Sequence, residues 1–168
     1  MKKRILMTLG LLTVLSVHMM AGENETRFGF NAGVLYPRIF NVTAQMEWET
    51  KYHNAWEVYI DYSTQWDKCR TCGKVCMDSF WKEGYGYAVG AAYKPAFSRG
   101  KNSLGRFRFG ADLGASRRNF ALGLEVGLEW VWTLRNRMQI VFQQKNEVNF
   151  WAKPRFKNGA LIGVRFPL

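Results

Sequence analysis

The sequence predicts an all-β protein, an eight-stranded antiparallel transmembrane β-barrel that is preceded by a signal peptide. Two observations predict it: a basic and then apolar N-terminus, and a two-residue alternation that recurs along the rest of the chain. The clearest alternation spans residues 120–132, FALGLEVGLEWVW. Successive side chains of a strand point to opposite faces, so one face of this segment is predicted to be apolar and the other small or acidic. The apolar face consists of Phe120, Leu122, Leu124, Val126, Leu128, Trp130 and Trp132.

Strand length separates a membrane strand from a soluble one. A strand averages about 5–6 residues in soluble proteins, whereas a membrane-barrel strand needs about 10 residues tilted across the hydrocarbon core. Residues 120–132 fit the second class, and their two glutamates argue against a membrane helix. The alternative is a secreted β-sandwich or lipocalin-like barrel, in which the apolar face would form a core and the carboxylates would face water. Strand length and aromatic residues at strand ends favour the membrane barrel.

The N-terminus has the three parts of a secretory signal peptide. A basic head at 1–4 precedes an apolar stretch at 5–20, and Ala21-Gly22 offers a small-residue cleavage point. An uncleaved membrane anchor is the alternative. We therefore predict a signal peptide at 1–21 and a single β-barrel domain at 22–168, located in the outer membrane of a Gram-negative cell.

Seven further segments repeat the alternation, which gives the even strand number expected of a bacterial outer-membrane barrel, here of OmpA-like size. Both chain ends are then predicted to lie on the periplasmic side. A cysteine-bearing outer loop is predicted at 67–83, and the polar stretch 144–157 is predicted to be another outer connection. The other predicted strands are 27–36, 40–48, 56–66, 85–93, 104–114, 138–143 and 159–168.

The polar faces of the predicted strands carry charges of both signs. In a narrow barrel these groups would be buried, and buried charges have to be paired. We therefore predict an ion-paired plug that fills the lumen, with a narrow ion pathway as the alternative. Small inward residues along 85–93 predict close packing against large side chains across the lumen. The predicted lumenal set is Glu47, Glu57, Asp61, Lys94, Arg106, Arg108, Asp112, Glu125, Glu129 and Arg165.

Three cysteines lie close together in the predicted outer loop, at Cys69, Cys72 and Cys76. A CxxC pair with a third cysteine nearby could hold a metal ion through thiolates, with Asp67 or Asp78 as the fourth ligand. In an oxidising exterior, a disulfide that closes the loop is favoured over a metal site, with one cysteine left over. The sequence does not determine which pair joins.

The sequence offers little for catalysis. After removal of the signal peptide, His53 is the sole histidine, in a predicted periplasmic turn, and the chain lacks a Gly-rich phosphate loop and a nucleophile elbow. We therefore predict no enzymatic activity and no cofactor. The net charge of +11 is spread over short basic clusters at predicted strand junctions. This distribution favours contact with outer-membrane lipid head groups over direct nucleic-acid binding.

Four short blocks resemble a known family: CRTCGKVCMDSFWKEG at 69–84, AAYKP at 91–95, SRGKN at 98–102 and GVRFPL at 163–168. Through them, roughly residues 60–168 resemble the TraO family, the conjugal transfer proteins of Bacteroides-type conjugative transposons. The resemblance implies an outer-membrane component of a DNA-transfer apparatus, with other envelope proteins of that conjugation machinery as partners. It brings no catalytic residues. The alternative is a general small outer-membrane barrel with an envelope-structural, surface-binding or narrow-pore role.

Overall fold

Antiparallel strands make up most of the chain that the computed structural model describes, namely residues 25–50, 52–66, 85–116 and 119–168. The predicted signal peptide and cysteine-bearing loop lie outside these residues. The described residues contain no helix with the length and hydropathy that a membrane span needs. The strands are β1 (Thr26–Tyr36), β2 (Ile39–Glu49), β3 (Ala55–Gln65), β4 (Tyr85–Lys94), β5 (Ala96–Arg99), β6 (Ser103–Ser116), β7 (Asn119–Thr133), β8 (Gln139–Phe150) and β9 (Phe156–Pro167).

The strands close into an eight-stranded antiparallel barrel, in which β4 and β5 together occupy one strand position. Neighbours follow the order β4-β3-β2-β1-β9-β8-β7-β6, and a further pairing between β4 and β6 joins the two edges. The short strand β5 continues β4 along β6, because Ala96 opposes Arg106 in the same register that places Tyr93 opposite Phe109. Pro95, which lacks a backbone N–H, lies between β4 and β5. The predicted eight-stranded antiparallel barrel is confirmed.

Apolar side chains face outward along the strands, and polar side chains face the lumen. In β7, Leu124 and Val126 are 49% and 54% exposed, whereas Glu125 and Glu129 are 1% and 0% exposed. This arrangement is the reverse of the soluble alternative, in which the carboxylates would face water. Other large apolar side chains exposed on the outer wall are Phe30, Val34, Val58, Ile60, Tyr87, Val89, Phe109, Leu113, Ile140, Val148, Ile162 and Val164.

One strand is longer than the sequence pattern predicts. The predicted strand 138–143 forms only the first half of β8, which continues to Phe150. Most of the predicted polar connection 144–157 is therefore strand, and only the short segment between β8 and β9 is a loop. The prediction of a connection at 144–150 is wrong.

The alternation of apolar residues fails in β8 because Gln144 and Asn146 occupy outward positions. Asn146 opposes Asn158 of β9, whose side-chain amide donates a hydrogen bond to the Asn146 side-chain oxygen. The Asn146 amide in turn donates to the Val126 carbonyl at 3.1 Å. These two polar side chains satisfy each other on the outer wall, so the strand persists where the apolar pattern predicts that it ends.

The two ends of the barrel differ in their connections. The turns that follow β2, β5 and β7 lie at one end, called here the turn end. The first and last described strands meet there as well, where the Leu168 N–H donates to the Thr26 carbonyl at 3.0 Å. Strands β1, β3, β6 and β8 end at the opposite end of the barrel, called here the loop end.

Candidate functional site

The lumen gathers the polar residues that alternate inward along the strands. Because inward positions recur at every second residue, each strand of the barrel contributes several side chains to one narrow column. The structure places every member of the predicted lumenal set in this column, and each is at most 5% exposed. These residues are Glu47, Glu57, Asp61, Lys94, Arg106, Arg108, Asp112, Glu125, Glu129 and Arg165.

A first group of charges lies towards the turn end and is centred on Lys94. Strands β2 and β3 place Glu47 directly opposite Glu57, a position in which two carboxylates repel each other. The Lys94 ammonium contacts both, and its distance to the Glu47 carboxylate is 2.8 Å. It also lies 2.8 Å from the carboxylate of Glu129 on β7. One ammonium group therefore holds together three carboxylates from three strands.

Two arginines complete this group. Arg165 forms a two-pronged ion pair with Glu129 and lies 2.9 Å from Glu47. Arg106 lies 2.7 Å from Glu47. The result is three carboxylates and three cations from six different strands, each at most 1% exposed. The Lys94 cluster is defined as Glu47, Glu57, Lys94, Arg106, Glu129 and Arg165.

The three carboxylates of the Lys94 cluster are close enough to ligate a metal ion, since one oxygen of each lies within 4.8 Å of the others. Hard cations favour such oxygen donors. In this chain, however, the Lys94 ammonium already contacts all three carboxylates. Arg106 and Arg165 balance the remaining charge, so the donor set fits an internal ion-pair network better than a metal ion.

A second group of charges lies towards the loop end and is centred on Lys145. The Lys145 ammonium contacts Asp61 of β3 and lies 3.3 Å from Glu147 and 3.5 Å from Glu125. Lys157 of β9, which is partly exposed, pairs with Glu147 from the other side. The Lys145 cluster is defined as Tyr59, Asp61, Arg108, Asp112, Glu125, Lys145, Glu147 and Lys157.

Tyr59 lies in the middle of the lumen, beside the Lys145 ammonium. The Arg108 guanidinium lies over its ring, 4.5 Å from the ring centroid, in a cation–π arrangement. The Tyr59 hydroxyl donates to Asp112 at 3.3 Å and to Glu125 at 3.2 Å. Arg108 also lies 2.7 Å from Glu57 of the Lys94 cluster, so the two clusters form one continuous network.

The Tyr59 ring fits only because the facing strands carry small residues. A Cβ atom at Gly90 would lie 2.4 Å from the Cζ atom of Tyr59, which no real side chain allows. A Cβ atom at Gly110 would touch the Tyr59 hydroxyl at 3.4 Å. One small inward residue of β4, Gly90, thus has a large side chain against it, and that side chain is Tyr59.

Four members of the two clusters fall outside the predicted set: Tyr59, Lys145, Glu147 and Lys157. Lys145 and Glu147 lie in the half of β8 that the polar pattern assigns to a loop. The signal that finds them is the two-residue spacing of amide and charged side chains from Gln143 onward, rather than the alternation of apolar ones. Tyr59 occupies an inward position of a predicted strand, but its aromatic ring gives no sign of a polar environment.

Two features named in the sequence lie away from this network or outside the described chain. His53 follows β2 at the turn end, and its Nδ1 atom lies 2.6 Å from Glu49. This carboxylate gives the histidine a structural partner. The predicted disulfide or metal chemistry lies outside the described residues, since it concerns Cys69, Cys72 and Cys76.

Comparison with known proteins bears on the fold. No protein-family model and no curated protein matches the sequence. The chain is similar in structure to a solved protein described as a major outer membrane protein from Thermus thermophilus, with a TM-score of 0.56 and 10% sequence identity. The similarity covers 88% of this chain and 100% of that chain. At this low identity the similarity shows a shared fold and nothing about a shared activity.

Proposed function

We propose that the chain is a non-enzymatic outer-membrane β-barrel whose lumen is closed by ion pairs and whose loops contact other proteins. The observation that carries this proposal is the inverted distribution of side chains, apolar on the outer wall and charged in the lumen. An apolar belt that runs around a whole barrel favours hydrocarbon over water. The description of the structurally similar solved protein as an outer membrane protein supports the same location.

The closed lumen argues for a structural role of the charges. At the level of the Lys94 cluster, side chains from six strands meet and contact one another. An ion that passed this layer would have to separate buried pairs, and leaving a buried charge without its partner costs about 3–5 kcal/mol. We therefore propose that the network is a plug that stabilises the barrel, rather than an ion pathway.

The location and the barrel are tested together by gel mobility of membrane fractions with and without boiling. We expect a band that runs faster before boiling, shifts on boiling and occurs only in the outer-membrane fraction. A folded barrel keeps its compact shape in detergent until it is heated, which explains the shift. A soluble periplasmic protein without any shift would contradict the proposal.

The closed lumen is tested separately by reconstitution into planar bilayers. We expect no steady conductance from the folded protein, with a porin reconstituted in the same way as the positive control. Steady single-channel openings would contradict the plug and favour the narrow-pore role. The outer-membrane location would stand in either case.

We further propose that the barrel belongs to the envelope apparatus of conjugative DNA transfer. The support is the resemblance of residues 69–84, together with the shorter blocks, to the TraO family. With the lumen closed, the loops and turns are the parts available for contact with other envelope proteins of that apparatus. No direct binding of nucleic acid is part of this proposal.

A mating experiment tests this role. Deletion of the gene in the donor is expected to reduce transfer of the element, and deletion in the recipient is expected to have no effect. Complementation with a variant in which Phe80 and Trp81 are both replaced by alanine should fail if the cysteine block makes the contact. The control is a variant with Lys153→Gln and Arg155→Gln in the loop after β8, which should restore transfer. Normal transfer from the deleted donor would contradict the role.

A further inference from the structure

Two neighbouring hairpins form one side of the turn end. The β5–β6 hairpin and the β7–β8 hairpin are adjacent because β6 pairs with β7 along its length, with Ser103 opposite Trp132. The ladder extends into the hairpins themselves, where the Thr133 N–H donates to the Asn102 carbonyl at 2.9 Å. The tips of the two hairpins therefore lie side by side.

Both hairpin tips are basic and contain no acid. Arg99 and Lys101 belong to the first, Arg135 and Arg137 belong to the second, and all four side chains are exposed. The segments 95–103 and 133–139 contain no Asp or Glu. Four cations thus lie close together on one rim of the barrel, with no carboxylate in either hairpin to balance them. The basic rim is defined as Arg99, Lys101, Arg135 and Arg137.

An aromatic surface lies directly beside the basic rim on the outer wall. The Phe97 ring covers Gly105, where a Cβ atom would lie 2.8 Å from its Cζ atom, and it packs on Phe107 with ring centroids 4.7 Å apart. Trp132 of β7 is 45% exposed on the same wall. Aromatic girdles flank the apolar band of membrane barrels, and Trp132, whose indole carries a polar N–H, is suited to the level of the lipid head groups.

The spacing places the cations at the level of phosphate groups. Arg135 follows Trp132 by three residues and lies past the end of β7 at Thr133, in the turn where the Arg137 N–H donates to the Leu134 carbonyl at 3.1 Å. The basic rim therefore lies just beyond the aromatic surface, on the aqueous side. Guanidinium groups bind phosphate oxygens with two parallel hydrogen bonds, so arginine is well suited to this position.

The opposite side of the turn end balances its own charges. Arg27 contacts both Glu25 and Glu49, and His53 lies 2.6 Å from Glu49. The charged groups on that side pair with one another, whereas the side chains of the basic rim are exposed to solvent. The attraction for an anion is therefore local to the side formed by β5 to β8.

We propose that the basic rim binds the phosphodiester head group of an anionic phospholipid, while Phe97, Phe107 and Trp132 contact its acyl chains. This inference rests on the proposed membrane location and adds a lipid partner of defined charge to it. Removal of a pair of basic side chains near an anionic lipid surface is expected to reduce lipid retention by about thirtyfold, the equivalent of about 2 kcal/mol.

Lipid retention by the folded barrel in detergent tests the proposal. The refolded protein is mixed with phosphatidylglycerol or phosphatidylcholine, and the bound lipid is counted by native mass spectrometry. We expect phosphatidylglycerol to be retained in preference. The variant R99Q/K101Q and the variant R135Q/R137Q should each reduce that preference by about thirtyfold. The matched control is K153Q/R155Q at the loop end, which removes the same charge and should keep it.

Three outcomes would overturn the proposal: equal retention of both lipids, an equal loss in the loop-end control, or displacement of the lipid by soluble glycerol phosphate. The last would indicate a site for free phosphate esters instead of a lipid site. The heat shift of every variant is recorded first. Wild-type protein without that shift contradicts the proposed barrel itself, whereas folded wild-type protein without lipid preference contradicts only the lipid site.

Discussion

The Lys94 cluster and the Lys145 cluster accommodate buried charge in different ways. The Lys94 cluster balances three carboxylates with three cations, and its side chains are at most 1% exposed. The Lys145 cluster has four carboxylates against three cations, and part of it lines a narrow cleft at the loop end. Charge balance is therefore strict where the lumen is closed on every side, and it is relaxed where the lumen approaches the loop end.

Asp112 illustrates the difference. It is 3% exposed and lines the cleft, and its carboxylate accepts a hydrogen bond from the Tyr59 hydroxyl at 3.3 Å. Among the residues that the structure describes, no Lys or Arg forms an ion pair with it. Glu47 of the other cluster, by contrast, pairs with Lys94, Arg106 and Arg165. Asp112 is therefore stabilised by one hydroxyl and by its position at the cleft, whereas Glu47 is stabilised by three cations.

The largest effect is expected from Lys94→Met. This change removes the ammonium group that contacts Glu47, Glu57 and Glu129, and it leaves the three carboxylates of the cluster against only two cations, Arg106 and Arg165. Loss of one partner of a buried ion pair costs about 3–5 kcal/mol in the free energy of unfolding. Urea unfolding of the barrel in lipid vesicles, followed by tryptophan fluorescence, measures the loss.

Lys145→Met is the matched comparison, since it removes an ammonium group of equal size from the second cluster. Lys157 already pairs with Glu147, so part of the charge stays balanced, and the cleft gives water access to the rest. We expect a loss of about 1–3 kcal/mol. Equal losses in the two variants would contradict the distinction between a strictly balanced cluster and a relaxed one.

A smaller effect is expected from Gly90→Ala, which tests whether packing as well as charge holds the middle of the lumen. The new methyl group would overlap the Tyr59 ring, because the two atoms would lie 2.4 Å apart. Overpacking of this kind costs about 1–3 kcal/mol. The same change in a Tyr59→Leu background should cost less, although the new methyl group would still lie 2.7 Å from the Ala111 carbonyl oxygen. A double-mutant cycle of unfolding free energies measures the coupling. Additive losses would show that Tyr59 is not the residue against which Gly90 packs.

Tyr59→Phe should have a more modest effect. It keeps the ring and its cation–π contact with Arg108 but removes the donor to Asp112 and Glu125. We expect a loss of about 1 kcal/mol, because both hydrogen bonds are long and Glu125 keeps other partners. Tyr87→Phe on the outer wall is the control and should leave the unfolding free energy unchanged. An equal effect of the two changes would contradict the conclusion that the Tyr59 hydroxyl stabilises Asp112.

The sequence predicts the barrel and all six lumenal residues of the Lys94 cluster for one physical reason. Wherever apolar and polar residues alternate strictly, as around Glu129, the face of each residue follows from strand geometry alone. Which charges pair across the lumen does not follow, because pairing depends on strand register and barrel closure. Lys145 and Glu147 are missed because the outward residues beside them are polar. Tyr59 is missed because its contacts come from strands distant in sequence.

The smallest effect is expected where polar residues lie on the outer wall, at Asn146 and Asn158. Asn158→Val alone leaves the Asn146 oxygen without its donor and should cost about 1 kcal/mol. Replacement of both by valine should change the unfolding free energy by less than about 0.5 kcal/mol, since two apolar groups of similar shape can replace a hydrogen-bonded pair at little cost. A double variant as unstable as the single one would contradict a self-contained pair. The expected contrast with Lys94→Met follows from connectivity: the asparagines bond mainly to each other, whereas Lys94 contacts three buried carboxylates on three different strands.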